Sequence, residues 1–239
     1  MQQFQPLPLH HQGADLIGQM MVPDGPGPHP AVLVMYSAYG LGDHVQNSAR
    51  RLAAEGYLAV CTDMYGGGKY YPVPDDAGPD FMAIMANPEL LRARCAAWFD
   101  AVAALPDVDP QRIAAIGYCF GGKCVLELAR SGADVKVVVS YHGVLTTHAP
   151  AAPGAIKGHV AAWCGALDPF APLADIDALR AELEAAGARY DVITLGKVAH
   201  SFTDPDAAKA GRPGIEYDAL ADKVSWAGTL ALLGGVLNN

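Results

Sequence analysis

Cys119 stands between two glycines, at the point where an apolar run gives way to helix-forming residues. The segment 113–124 therefore predicts a strand, a tight turn and a helix, with the cysteine at the tip of the turn. Such a turn strains the backbone of its nucleophile, and Gly117 and Gly121 supply the small residues needed two positions away on either side. The helix N-terminus favours a thiolate. Because Gly-x-Cys-x-Gly also fits a glycine-rich connection around a buried cysteine, the rest of the chain must decide.

An acid and a histidine follow the cysteine, each in a loop after a later predicted strand: Asp168 and His200. A thiolate can attack an acyl carbon, an imidazole can take and return the proton, and a carboxylate can fix the imidazole tautomer. The backbone N–H groups of Ala38 and Phe120 are predicted to form the oxyanion hole. Taken alone, an Asp-Pro pair is more often a turn and a loop histidine is more often solvated. Their joint placement favours catalysis.

Strands and helices alternate along the predicted chain. Continuous apolar runs, typical of parallel strands buried on both faces, occur at 31–35, 58–61 and 113–116, and further strands are predicted over 135–140, 159–164 and 189–194. Helices are predicted over 45–55, from Pro88 with Asn87 as its cap, from Leu173 to Gly187, and from Glu216 to about Leu232. This alternation predicts one α/β domain, residues 1–239, with a doubly wound, mostly parallel sheet flanked by helices.

The remaining segments are predicted to be connections. The stretch 16–22 belongs to an outer hairpin, 106–110 is a turn, and 195–214 is a long loop that contains His200. The stretch 64–79 is rich in glycine, tyrosine and proline without periodicity, which usually marks a functional loop. No large lid is predicted, and this loop is the only candidate cover.

Ligands of such sheets bind beyond the carboxyl ends of the strands, where the candidate residues gather. The order nucleophile, acid, histidine is that of the α/β-hydrolase fold. The predicted substrate pocket contains Ser37, Tyr39, Tyr118, His142, Phe202 and Asp204. For His142 two interpretations stay open, a contact with substrate or packing beside the turn that carries Cys119.

Composition argues against several classes of partner and cofactor. A formal net charge of −9 without a basic patch argues against nucleic acid or an anionic membrane. The start of the chain lacks the pattern of a signal peptide and no apolar run approaches a bilayer span, so we expect a cytoplasmic protein. We also expect a monomer whose partner is a small ester or lactone substrate. Five cysteines without paired spacing predict free thiols, and neither a metal nor another cofactor is expected.

Several segments carry a resemblance to the dienelactone hydrolase family along nearly the whole chain. They are 38–41, 49–57, 63–65, 116–122, 165–169 and 200–207, with Tyr217 and 221–226. The resemblance implies a Cys-His-Asp hydrolase that opens enol-lactones such as dienelactone through an acyl-cysteine. The corresponding residues of this chain are Cys119, His200 and Asp168.

Two positions depart from the family pattern. Members that act on dienelactone are similar in having a Glu after the first parallel strand and an Arg four residues after the catalytic His, where this chain has Ser37 and Asp204. An anionic lactone would therefore meet an aspartate, unless Lys69, Arg92 or Arg212 reaches the site.

The predicted function is carboxymethylenebutenolidase-like hydrolysis of small lactones or esters. Two alternatives stay open, a broader carboxylesterase for neutral substrates and a non-catalytic member of the fold that binds a small ligand.

Overall fold

Eight strands and six α-helices alternate along residues 3–238, the part of the chain that the computed structural model describes. The strands are β1 (Gln5–His11), β2 (Ala14–Met21), β3 (His29–Met35), β4 (Leu58–Cys61), β5 (Val108–Tyr118), β6 (Val137–Tyr141), β7 (His159–Gly165) and β8 (Arg189–Leu195). The helices are α1 (Asp43–Ala54), α2 (Gly78–Met85), α3 (Pro88–Ala103), α4 (Phe120–Arg130), α5 (Leu173–Ala185) and α6 (Ala219–Leu237), with 3₁₀ helices at Pro74–Ala77 and Ala207–Ala210.

All eight strands form one sheet in the order β1-β2-β4-β3-β5-β6-β7-β8. β1 and β2 make an antiparallel hairpin, β2 pairs antiparallel with β4, and every pair from β4 to β8 is parallel. The predicted α/β-hydrolase architecture, with a mostly parallel sheet and an outer hairpin, is confirmed.

β5 lies inside the sheet between β3 and β6, and α4 follows directly from its carboxyl end. The apolar residues 113–116 of this strand are completely buried, because α4 packs against β5 and β6 on one face and α6 packs against the same strands. The predicted nucleophile is therefore carried by an interior strand that helices cover on its faces.

The turn predicted over 106–110 is wrong in its extent, because β5 begins at Val108. The carboxylate of Asp109 accepts hydrogen bonds from the Gln111 backbone N–H and the Arg112 side chain. These bonds stabilise the irregular start of the strand. A turn at Pro106 and Asp107 therefore precedes the strand, and the hydrogen bonds of Asp109 lie inside it.

The last helix starts later and ends later than its prediction from Glu216 to about Leu232. Asp218 caps α6 by accepting hydrogen bonds from two backbone N–H groups, so the helix begins at Ala219. It continues to Leu237.

α6 also corrects the expectation that no apolar segment approaches a bilayer span. By length and composition alone its 19 residues are sufficient to cross a membrane. One face of the helix nevertheless packs against β5 and β6, so its length and composition are weak evidence for a membrane span.

The predicted loop 64–79 is mostly irregular, but it contains the 3₁₀ helix Pro74–Ala77 and the first residues of α2. The completely buried carboxylate of Asp63 accepts hydrogen bonds from the backbone N–H groups of Tyr65, Gly66 and Gly68. These bonds fix the start of the loop to the end of β4. Within the described chain this loop and α2 are the cover over the site, and no large lid domain is present.

Candidate active site

The turn at Cys119 holds a strained backbone. Cys119 has φ 55° and ψ −111°, a conformation that side chains rarely adopt, and it is the N-cap of α4. A Cβ atom on Gly117 would lie 2.0 Å from the Gly121 carbonyl oxygen, and one on Gly121 would lie 2.0 Å from the Met35 carbonyl oxygen. Only glycine permits this close approach of strand and helix. The cysteine is half-buried.

The surroundings of Cys119 favour its thiolate. Burial by itself raises the pKa of the thiol, but the neighbouring His200 imidazolium and the backbone N–H groups of Phe120 and Ala38 outweigh burial. The pKa of Cys119 therefore lies below its ordinary value. The two N–H groups that face the sulfur are those expected for the oxyanion hole.

His200 and Asp168 form a buried pair. Asp168 follows β7 and His200 follows β8, and the Nδ1 atom of His200 lies 2.7 Å from Oδ2 of Asp168. Burial lowers the pKa of His200, but the Cys119 thiolate and Asp168 outweigh it and raise that pKa to about 10. The structure therefore brings Cys119, Asp168 and His200 together, in surroundings that favour the thiolate of Cys119 and the imidazolium of His200.

Alkylation by iodoacetamide can test this charge distribution. A lowered pKa means that the thiolate persists further to the acid side, so at pH 7 the rate constant for Cys119 should be a larger fraction of its alkaline maximum than for an ordinary thiol. An ordinary thiol, with a pKa of about 8.5, is only a few per cent thiolate there. In His200→Gln the imidazolium is lost, so we expect a slower reaction at pH 7 that recovers as the pH rises.

The buried thiols of Cys61 and Cys164 provide the internal control for this experiment. Burial raises the pKa of each to about 12, so both should stay unmodified in the folded protein, as peptide mapping can check. A rate for Cys119 that climbs with pH as a free thiol does, in parent and variant alike, would contradict the inferred ion pair.

An apolar cavity of about 250 Å³ opens beside Cys119 and His200. Its apolar walls are formed by Ala38, Tyr39, Ala77, Phe81, Val144, Phe170 and Ile215. Phe81 belongs to α2, which therefore covers one side of the cavity. A small acyl group or lactone ring fits a cavity of this size and character.

The structure places the six residues of the predicted pocket in three environments. Ser37 and Tyr39 line the cavity beside Cys119, together with the predicted oxyanion-hole residue Ala38. Tyr118 and Asp204 instead line a larger neighbouring cavity, which Ser37 and Tyr39 also reach.

His142 and Phe202 line neither cavity and are 1 % and 0 % exposed. The ring of His142 packs edge-on against the ring of His200, at 5.0 Å between centroids, and its Nε2 atom lies 2.8 Å from the hydroxyl of Thr203. The structure thus favours packing for His142 over contact with substrate, and it corrects the placement of Phe202 in the pocket.

Among the three cations considered for an anionic substrate, Arg212 alone lines the cavity beside Cys119. Lys69 binds Asp80, and Arg92 binds the buried Glu127. Arg212 pairs with Asp75 at 2.8 Å, and both residues lie at the wall of the cavity. Its charge is therefore partly neutralised before any substrate arrives.

Tyr65 is a supporting residue that sequence reasoning missed. Its hydroxyl donates to the Ala38 carbonyl at 2.9 Å, and its ring stacks on Phe120 at 5.7 Å between centroids. Tyr65 thus links both predicted oxyanion-hole residues to the loop after β4. The sequence signal that could have identified Tyr65 was its position in 63–65, one of the segments that resemble the dienelactone hydrolase family. Among residues 3–238 no group of three or more His, Cys, Asp or Glu residues could hold a metal ion.

Comparisons with known proteins identify the family of the chain. The model of the dienelactone hydrolase family matches residues 16–237. An uncharacterised protein of Caenorhabditis elegans is 35% identical over 145 residues, which cover 60% of this chain and 92% of that protein. A carboxymethylenebutenolidase-like protein of Yersinia pestis is 27% identical over 205 residues, which cover 80% of this chain and 75% of that protein.

Solved structures extend the similarity to the whole fold. A dienelactone hydrolase-like promiscuous phosphotriesterase from metagenomic libraries superposes with a TM-score of 0.93 at 34% identity, over 98% of each chain. A dienelactone hydrolase from Anabaena variabilis shares the fold at 20% identity, with a TM-score of 0.70 over 99% of each chain. The chain is therefore a lactone or ester hydrolase that belongs to the dienelactone hydrolase family.

Proposed function

We propose that the protein hydrolyses small esters or lactones through an acyl-cysteine on Cys119, with His200 and Asp168 as its catalytic partners. The observation that carries this proposal is the lowered pKa of a half-buried thiol beside the Asp168–His200 pair, at the wall of an apolar cavity. Desolvated thiolates of this kind are effective acyl acceptors.

Acylation begins with attack of the Cys119 sulfur on the carbonyl carbon. An S–C bond forms, and the carbonyl oxygen becomes an oxyanion that the backbone N–H groups of Ala38 and Phe120 stabilise. Removal of one such donor typically lowers kcat by about 10²–10³-fold. The C–O bond then breaks, and the His200 imidazolium gives its proton to the leaving alkoxide. In a lactone this alkoxide remains tethered to the acyl group.

Deacylation reverses the roles of the same groups. The now neutral His200 takes a proton from a water molecule as that water attacks the thioester carbon. The second tetrahedral intermediate collapses by breaking the S–C bond, which releases the carboxylic acid and restores the thiolate. Asp168 keeps the His200 tautomer that both half-reactions need, because its carboxylate binds Nδ1 and leaves Nε2 for proton transfer.

The two alternatives differ from this proposal in what they predict. A broader carboxylesterase would use the same steps on neutral esters, and the apolar walls of the cavity support such substrates. A ligand-binding protein without catalysis has no use for a cysteine at a strained turn with a buried imidazole beside it. We therefore favour an enzyme.

Detection of the acyl-enzyme tests the proposal. Mixing the protein with p-nitrophenyl trimethylacetate, whose bulky acyl group slows deacylation, and quenching with acid should give a mass increase of one acyl group per chain. Peptide mapping should place this group on Cys119, and Cys119→Ala should lack it. The matched variant Cys124→Ala, which removes a buried thiol from α4, should keep it. Turnover without any adduct on Cys119 would refute the mechanism.

A further inference from the structure

A second and larger cavity, of about 540 Å³, adjoins the one that contains Cys119. The two cavities share the wall residues Ser37, Tyr39, Ser201 and Ile215, so a substrate can extend from one into the other. The larger cavity has more polar lining and lies between the loop after β3, the start of α1 and the loop that follows His200. The proposed chemistry at Cys119 does not use it.

Tyr39 connects the two cavities electrostatically as well as sterically. Burial raises the pKa of its hydroxyl, and the negative charges of Cys119 and Asp204 raise it further, while Arg212 opposes them. The hydroxyl of Tyr39 therefore lies within electrostatic range of both the nucleophile and an acidic residue of the larger cavity. A molecule bound at Cys119 that extends past Tyr39 enters the cavity that Asp204 lines.

The larger cavity carries an excess of negative charge. Its lining contains the carboxylates Asp43, Asp204, Asp206 and Asp222 and the cations Arg51 and Lys209. Lys209 binds Asp206 at 2.8 Å, whereas Asp43 and Asp204 have no cationic partner within 4.0 Å among the described residues. His44, also in the lining, does not offset this charge, because burial lowers its pKa and keeps the ring neutral.

Aromatic rings complete the lining. Tyr39, Tyr70 and Tyr71 contribute to the wall of the larger cavity, and Tyr118 borders it with a ring that is buried and stacked on Tyr141. The faces of aromatic rings attract cations, particularly quaternary and protonated amines, and carboxylates nearby add to that attraction. Tyrosines, and the aspartates Asp43 and Asp204 that have no cationic partner among the described residues, thus form a surface that suits a cation and repels an anion.

We infer that the larger cavity binds the cationic part of an ester substrate, such as a quaternary or protonated amine, while the ester carbonyl lies at Cys119. This inference rests on the proposed acyl-cysteine hydrolysis and narrows its substrate class. It also gives Asp204 a role, since a carboxylate four residues after His200 selects against the anionic substrates that an arginine there would attract.

Three thioacetates of equal length test the substrate class. One is acetylthiocholine, the second has a tert-butyl group in place of trimethylammonium, and the third has a carboxylate at that end. Thiol release should give a kcat/KM for the cationic ester about fivefold above that for the neutral one, with the anionic ester about fivefold below it. Equal kcat/KM values for the cationic and neutral esters would overturn the inference.

Variants then assign the preference to the larger cavity. Asp204→Asn and Asp43→Asn should each lower the ratio of kcat/KM for the cationic over the neutral ester, by about threefold. The control is Asp100→Asn, which neutralises an exposed carboxylate on α3 outside both cavities and should leave this ratio unchanged. A ratio that is the same in the parent and in Asp204→Asn would refute the role of Asp204.

Calorimetry with choline and the variant Cys119→Ala separates this inference from the proposed reaction. Choline should bind this variant with a millimolar Kd, and adding Asp204→Asn should weaken that binding by about threefold. Choline binding without ester hydrolysis by the parent protein would support cation binding in the larger cavity and would overturn the proposed acyl-cysteine hydrolysis. Hydrolysis of the neutral ester without choline binding would overturn the cation site alone.

Discussion

Replacing Cys119 with alanine is expected to lower kcat/KM for p-nitrophenyl acetate by about 10³-fold or more. The variant has no atom that can accept the acyl group, so His200 and the backbone N–H groups can promote only slow attack by water. The change removes one partly exposed atom and leaves the glycines of the turn in place, so we expect the fold to persist. Steady-state kinetics of parent and variant, with circular dichroism to verify folding, make the measurement.

The control for Cys119→Ala is Cys124→Ala, on the helix that follows the same turn. Cys124 is completely buried, and burial raises its pKa well above the ordinary value for a thiol. Its loss should cost about 1 kcal/mol of stability through the small cavity it leaves, but it should keep kcat within about threefold of the parent. Equal activity in Cys119→Ala and the parent would contradict the proposed nucleophile.

The second large effect is expected from Asp168→Asn, which should lower kcat by about 10²–10³-fold. An asparagine side chain can present its amide N–H to Nδ1 of His200 and so stabilise the tautomer whose Nε2 atom carries the proton. That ring cannot accept the proton of the attacking water. We expect a smaller loss than in serine enzymes, because a thiolate needs no base to become nucleophilic.

The pH dependence of alkylation supplies a second measurement on the same variant. Without the Asp168 carboxylate the imidazolium is less stable, so the pKa of Cys119 should rise towards its ordinary value and the alkylation rate at pH 7 should fall. The matched control is Asp191→Asn. Asp191 lies 2.7 Å from His159, an equivalent acid–histidine pair near the opposite end of β7 and β8. A similar loss of kcat in both variants would contradict a specific role for Asp168.

The strands and the turn at Cys119 were predictable because their signals are local. An apolar run, two glycines and a cysteine occupy consecutive positions, and their geometry follows from backbone sterics between neighbours. The meeting of Asp168 and His200 followed from a general rule, since parallel strands present their carboxyl ends at one edge. The end of α6 was harder to place, because Gly234 and Gly235 resemble the end of a helix and tertiary packing overrides their low propensity.

The lining of the cavities was not predictable in the same way. Whether a side chain that follows a strand points into a cavity or into the core depends on how distant loops fold over it, and sequence order does not record that. His142 illustrates this point, because it follows a strand at the active edge but is buried against His200 and Thr203. Lys69, Arg92 and Arg212 all have an acidic partner, and Arg212 differs from the other two because the loop that carries it lies at the wall of the cavity.

The reacting sulfur and the surfaces that a substrate would touch belong to different parts of the fold, and this separation has an evolutionary consequence. The sulfur is held by an interior strand and by glycines that tolerate no side chain, whereas the surfaces a substrate would touch come largely from loops after β3, β4 and β8. Mutations in those loops can accumulate without disturbing the reacting atom. A scaffold of this kind can acquire new substrates by gradual loop divergence while it conserves a single reactive centre.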